Sequence, residues 1–504
     1  MRPGYAVRVT TVVLALCLGL GACGSNIDPE QAGLVRAGSA APNVGGEGSF
    51  VDPGGVGDPG STDPGAVGDP GGGAPAFTDA DPGGDPTGSG PDPAAPPASG
   101  TGGGATDTDE PEQGGGTGDE RPPASEVSCD GLKNGTGITD STITIGNTAD
   151  ISGPVPGLFT QAQQAVVAYV KYFNDTQQTI CGRSLALDRY DSRTDAGADQ
   201  QAYSKACSDT FAMVGAMSAF DSGGASTAQK CGLPDIRAIA TTSQRSACST
   251  CYAAQPAGPD EFENAVPDYV KRNTSSGGQR AAMLYINAGA AAESGKSQVQ
   301  LMTKRGVKFV YVSAVDVAEF NYAPFVQAMK DKGVESVQFI AAEPQFARLA
   351  QTMQQQGFKP ELLLLDPTAY SKQYTDPTGS AAVGTTVFTN FVPFEEAGGN
   401  RELSLYLSYL EQSSPGAAPG FFGLFAWSAA KLFVEQATRL GGDLDRASLI
   451  AAMKKVNGWT ADGMHAPMPV GSKKITDCWR FIQWNGSTWK PQEGTKYQCN
   501  GTTS

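Results

Sequence analysis

A single histidine, His465, stands in 504 residues, so any Ser-His-Asp relay or imidazole metal site would have to be built around it. It lies in the turn-like run Asp462-Gly463-Met464-His465-Ala466-Pro467. The chain has no Gly-x-Ser-x-Gly elbow, no phosphate loop and no metal-spaced cluster of His and acids. No catalytic residue, metal or cofactor is expected. Cysteine is the other reactive type. Apart from Cys17 and Cys23 there are eight: Cys129, Cys181, Cys207, Cys231, Cys248, Cys251, Cys478 and Cys499. Cys248-Ser249-Thr250-Cys251 has the spacing of a redox dithiol, but it sits in a loop beyond a strand and not at a helix start. A structural bridge is therefore expected there, with a secreted thiol-redox protein as the rival reading.

An even cysteine count in an exported chain reads as disulfides, and of the roughly one hundred pairings open to eight cysteines the preferred set joins near neighbours. These are Cys129 with Cys181, Cys207 with Cys231, Cys248 with Cys251, and Cys478 with Cys499. Export itself is read from the N-terminus. Arg2 and Arg8 precede an apolar stretch from Val9 to Leu20, too short to span a bilayer but suited to the core of a secretory signal. Leu20-Gly21-Ala22-Cys23 resembles the lipobox of bacterial lipoproteins. That resemblance implies a signal peptide over 1–22 and a lipidated Cys23, whose two or three acyl chains (palmitate among them) would anchor the protein stably to the outer face of the cell membrane. No later segment reads as transmembrane.

From 23 to 125 the composition turns to Gly, Pro, Asp, Ala and Thr, with repeated units such as Asp58-Pro59-Gly60 and Asp69-Pro70-Gly71. Such a segment cannot bury enough apolar surface to offset its ordering entropy, so a disordered tether is expected, spanning on the order of 55 Å. Its seventeen acidic residues face only Arg36 and Arg121, and it holds nearly all of the net charge of −16. The acidity thus belongs to the tether and says little about a ligand. No basic stripe is present, and nucleic acid is not expected as a partner.

The remaining block of about 380 residues is long enough for two cores. Ile143–Gly146, Leu185–Tyr190, Phe211–Gly215 and Ala238–Ala240 read as strands. Helices are expected from Gln161 to Phe173, Ala198 to Phe211 and Gly223 to Lys230. Met283–Ile286, Phe309–Val312, Val337–Ile340 and Leu362–Leu365 repeat the alternation, with helices between them stopping at Gly306, Gly333 and Gly357. Strands that alternate with helices predict an α/β fold of parallel sheets covered on both faces.

Gly137-Ile138-Thr139-Asp140 running into Ile143-Thr144-Ile145-Gly146 and Ile151-Ser152-Gly153-Pro154 resembles the opening of the type I periplasmic-binding-protein family. Its branched-chain amino-acid and amide receptors are the nearest in pattern. Tyr190-Asp191-Ser192, Val214-Gly215, Gly232-Leu233-Pro234 and the helix from Gly423 to Leu432 continue the likeness. The long tether and the cysteines look actinobacterial. The resemblance implies two Rossmann-like lobes joined by a three-crossing hinge, 126–257 with 391–458 and 259–390 with 459–504. It also implies a solute-binding protein, not an enzyme, that captures a small polar or amino-acid/amide-like molecule. The protein would act as a monomer and deliver its ligand to ABC permease subunits. A ligand-sensing ectodomain that signals to a membrane partner would use the same clamshell.

By the same resemblance, ligand contacts come from the loop after the first strand, ending at Phe159, and from Ser218, Ala219 and Phe220. Thr241 follows on the next loop, and the helix start near Gly223 would add its dipole for an anionic group. In the second lobe Thr368 stands where an amino-acid receptor presents an acid, with Asp366 close by. Asn287–Ala292 offers no aromatic residue. Phe220, Tyr370 and Trp427 are the candidates to stack on an apolar body.

Overall fold

The computed structural model describes residues 127–504; the signal peptide, Cys23 and the tether fall outside them. The first sheet consists of β1 (Thr142–Ala149), β2 (Ser184–Asp191), β3 (Ala212–Val214), β4 (Asp235–Ala240) and β5 (Cys251–Pro256). Its spatial order is β2-β1-β3-β4-β5, and every pairing is parallel. Parallel strands need crossovers that cover both faces of a sheet, and β3, β4 and β5 are accordingly buried along their whole length.

After the short β6 (Phe262–Glu263) the pattern repeats with β7 (Ala281–Ile286), β8 (Phe309–Val315), β9 (Ser336–Ile340), β10 (Leu362–Leu365) and β11 (Thr386–Thr389). Their order, β8-β7-β9-β10-β11, is that of the first sheet, again all parallel. The second sheet then grows by an antiparallel hairpin of β12 (Cys478–Trp484) and β13 (Trp489–Gln492). β14 (Gln498–Cys499) pairs with β12, and β15 (Thr502–Thr503) pairs with β6.

The helix Phe421–Leu440 has fifteen of its twenty side chains buried, as expected of a helix that is apolar all round. It packs on the helix Thr160–Asp175 and on β4, so a segment late in the sequence completes the core of the first lobe. The helix expected to start at Gly223 begins at Ala225. Gly223 and Gly224 form the turn before it, where a side chain would strike the Ala196 carbonyl at 2.1 Å or the Tyr203 ring.

β5 ends the first sheet at Pro256, the parallel strands of the second sheet run from Ala281 to Thr389, and the helix Phe421–Leu440 then packs back on β4. Val470–Ser472 packs against β5, and Lys473 donates to the Ser246 and Cys248 carbonyls, before the chain enters β12. The structure joins Cys129 to Cys181, Cys207 to Cys231, Cys248 to Cys251 and Cys478 to Cys499. Among the described residues no helix is long and apolar enough to cross a membrane.

Candidate functional site

Both sheets direct the carboxyl ends of their parallel strands toward one cleft, the place where open α/β sheets hold ligands. A cavity of about 260 Å³ lies there. From the first lobe it is lined by Leu158 and Phe159 after β1, Met217, Ala219 and Phe220 after β3, and Thr241 after β4. From the second come Ile286 and Ala288 after β7, Ala341 and Ala342 after β9, and Asp366, Pro367 and Thr368 after β10. Phe421 and Phe422 close one side, with Phe159 edge-on to Phe422 at 4.5 Å, while Phe262, Phe388 and Trp479 line the second lobe. Most of this lining is apolar.

Five expected contact residues, Phe159, Ala219, Phe220, Thr241 and Thr368, therefore meet at the cavity, and Asp366 joins them. Ser218, Tyr370 and Trp427 lie outside the lining. Ser218 is fully buried with its hydroxyl 3.4 Å from Asp150. The Tyr370 hydroxyl donates to Glu395 and accepts from the Phe394 N–H, and its ring packs on Phe394 and Trp489. Trp427 is 0% exposed, donates to Glu402 at 2.6 Å and packs among Tyr169, Tyr172 and Tyr406. Each of these three satisfies its polar atom within the protein. Phe421 and Phe422 were not anticipated; the Gly420-Phe421-Phe422-Gly423 run at a helix start was the signal for them.

The loops expected to greet an anion already hold one. Asp150, directly after β1, accepts from the Ala219 N–H at 2.8 Å, the Ser192 hydroxyl at 2.6 Å and the Thr194 N–H at 2.9 Å. Burial still raises its carboxyl above the usual range. Asp221 accepts from the Thr241 N–H at 3.1 Å, the Thr241 hydroxyl at 3.3 Å and the Thr242 hydroxyl at 2.6 Å. The Gly224 N–H donates to Asp199 at 2.8 Å, so the turn before the helix Ala225–Cys231 is also occupied. Behind this wall Arg245 bridges Asp235 at 2.8 Å and Asp199 at 3.1 Å, and Arg237 sits 3.4 Å from Asp235, all without solvent exposure.

The second lobe differs. Asp366 accepts from the Thr368 N–H at 2.8 Å; it keeps some exposure toward the cavity yet lies deep in the protein, and burial pushes its carboxyl up to about 6. Glu263, 3% exposed, has a side-chain oxygen without a hydrogen-bond partner, and burial pushes it up to about 8.

The lobes touch across the cleft. The Ala290 N–H donates to the Ala219 carbonyl at 2.9 Å, and the Ser243 N–H donates to Glu293 at 2.9 Å. Gly289, at φ +49°, allows this approach, because a Cβ there would lie 2.3 Å from the Ala219 oxygen.

His465 is buried away from the cavity lining. Its Nδ1 lies 2.9 Å from the Ala466 carbonyl, an acceptor, so Nδ1 carries the proton and Nε2 accepts from the Ser428 hydroxyl at 2.8 Å. Burial lowers its pKa to about 4. This Ser-His pair has an amide carbonyl where a relay would need a carboxylate. Asp477 lies beside Cys478 and Cys499 in a metal-like grouping, but their sulfurs are bonded to each other.

The family model described as periplasmic binding protein matches residues 142–489. A search of curated protein sequences finds no match. Among solved structures, a leucine-binding protein from Thermotoga maritima MSB8 superposes with a TM-score of 0.60 at 13% identity, covering 70% of this chain and 98% of its own. A fatty acid ABC transporter substrate-binding protein from Thermomonospora curvata gives 0.62 at 18% identity, with 74% and 96% covered. A solute-binding protein from R. palustris in complex with 4-hydroxybenzoate gives 0.58 at 16%, with 72% and 97% covered. At these identities the likeness shows the fold, and the family match supplies the class. Two lobes of repeated topology around a shared cleft, matched over most of the chain, place this protein in the periplasmic binding protein family, whose members bind solutes and are not enzymes.

Proposed function

We propose that this chain is the solute-binding component of an ABC importer, held outside the cell by a lipidated Cys23 and carried on the Gly/Pro/Asp-rich tether of 23–125. The observation that carries the reading is the cavity enclosed between two parallel sheets at their carboxyl ends. Lobes of this kind close by hinge motion, and closure strengthens each polar contact by excluding water. Phe159, Ala219, Phe220, Thr241 and Thr368 are the contacts; Ser218, Tyr370 and Trp427 hold the walls from behind. The expected ligand is a small polar or amino-acid/amide-like molecule, and the mostly apolar lining favours one that carries an apolar body as well.

The test is a metabolite library screened by thermal shift on the exported protein, followed by X-ray scattering on the hits. A ligand at a hundredfold its Kd should add about 2.7 kcal/mol and compact the particle. Hits that bind without compaction would overturn the clamshell mechanism. Cys23→Ala should move the protein from the membrane fraction to the medium with its thermal midpoint unchanged; full retention of the variant would overturn the anchor.

A further inference from the structure

Among the cavity-lining residues the charged ones are Glu261, Glu263 and Asp366, with no Lys, Arg or His. Glu261 has a partner in the exposed Lys474 at 3.6 Å. Among the described residues, no cation lies within ion-pair distance of Glu263 or Asp366. A buried carboxyl without a cation is costly in its charged form, so its environment favours either a proton or an arriving positive charge.

Two acceptors here lack partners. Glu263 and Gln255 are each 3% exposed, each line the cavity, and each retain a side-chain oxygen with no hydrogen bond. They belong to β6 and β5, on either side of the first crossing between the lobes. Unmade hydrogen bonds at buried acceptors are rare and expensive, and a donor supplied by a ligand removes that cost. Across the cavity the Ala219 N–H is held by Asp150 and the Thr241 N–H and hydroxyl by Asp221, and of the two threonines on that wall the Thr194 hydroxyl is unpartnered. A free carboxylate would meet acids on one wall and, on the other, backbone and threonine donors that Asp150 and Asp221 already hold.

Building on the proposed solute-binding role, we infer that the ligand is an amine, an apolar body carrying a cationic nitrogen and no free carboxylate, with its nitrogen held near Glu263 and Gln255. The raised pKa of Glu263 fits a carboxyl waiting for its counter-ion. The class differs from leucine, a fatty acid and 4-hydroxybenzoate, the compounds named for the similar structures, all of which carry a carboxylate.

The test is calorimetry on the full exported chain at neutral pH with matched probes: 2-phenylethylamine against 3-phenylpropanoate and 2-phenylethanol, and octylamine against octanoate. 2-Phenylethylamine should bind at least tenfold more tightly than its acid and its alcohol, and octylamine at least tenfold more tightly than octanoate. Glu263→Gln should cost the amines tenfold or more and leave the alcohol unchanged. Asp366→Asn supplies a second variant, expected to weaken the amines, should Glu263→Gln fail to fold. An acid or alcohol that binds as tightly as the amine overturns the inference, as does undiminished amine affinity in both variants. If that acid also compacts the particle, the solute-binding reading survives; absence of binding across this panel and the metabolite library overturns both.

Discussion

The two lobes share one strand order but treat their buried carboxylates in opposite ways. In the first, Asp150 and Asp221 are surrounded by N–H and hydroxyl donors, and Asp199 and Asp235 share Arg245. In the second, Glu263, Glu343 and Asp366 lie at or near the cleft with no cation beside them, and burial lifts them to about 8, 7 and 6. The same topology therefore presents one lobe whose buried acids meet donors or arginines and another in which Glu263, Glu343 and Asp366, among the described residues, meet no cation. Binding specificity is written in that asymmetry, because the carboxyls with no cation beside them line the second wall, with the unpartnered Gln255 oxygen at the end of β5 next to them.

The sharpest way to break the comparison is to remove one charge from each side. Arg245→Ala leaves Asp199 and Asp235 buried without their bridge, and breaking a buried pair from one side costs about 3–5 kcal/mol. Chemical denaturation should show that loss. Glu263→Gln removes a group that has no partner, and its effect should be neutral or stabilising. Equal losses for the two variants would mean that the lobes do not differ as described.

The pH dependence separates them next. A carboxyl whose folded pKa is raised stabilises the fold below its ordinary value and loses that contribution as pH climbs through the folded value. For Glu263 the window runs from its ordinary 4.5 up to about 8, and for Glu343 up to about 7. Asp366, and Asp199 in the first lobe, move from 3.8 to about 6 and add to the lower half. His465, lowered from 6.5 to about 4, acts oppositely, its contribution present above 6.5 and lost as pH falls through about 4. From pH 6.5 to 8 the acids of the second lobe act alone among these groups, so the thermal midpoint of the ligand-free protein should fall across that interval. The slope should flatten in Glu263→Gln; an unchanged slope would place the titration elsewhere.

Much of this architecture is legible in the sequence because parallel strands buried on both faces read as short apolar runs between helical periods. β5 escaped, since Cys251-Tyr252-Ala253-Ala254-Gln255-Pro256 mixes small and polar residues. The β12–β13 hairpin escaped too, although Asn485-Gly486 between Trp484 and Trp489 carries a turn signal. Phe159, Ala219 and Thr241 could be placed at the cleft because the family resemblance assigns ligand contacts to the loops that follow these strands. Trp427 and Tyr370 could not, because their inward direction depends on Glu402 and Glu395, each 25 residues away in sequence. Nor could the commitment of the Thr241 donors be read, since Asp221 reaches them only after β3 and β4 pair.

The smallest expected effect concerns the contact that joins the lobes. Glu293 begins on the second lobe and accepts from both the N–H and the hydroxyl of Ser243 on the first. These bonds exist only while the lobes touch, so removing them should destabilise the closed arrangement without disturbing either core. Hydrogen bonds to a charged group are worth about 1.5–3 kcal/mol when buried and less when partly exposed, as Glu293 is. Glu293→Ala should therefore weaken any ligand that requires closure by roughly three- to tenfold, with the change in the dissociation rate and the association rate nearly unaltered. Because the contact is between lobes, the thermal midpoint of the ligand-free protein should shift little. Stopped-flow binding beside a melting curve distinguishes the cases: a large fall in midpoint with unchanged dissociation would make Glu293 a support of its own lobe, and the cleft would then be held shut by the Ala219–Ala290 bond.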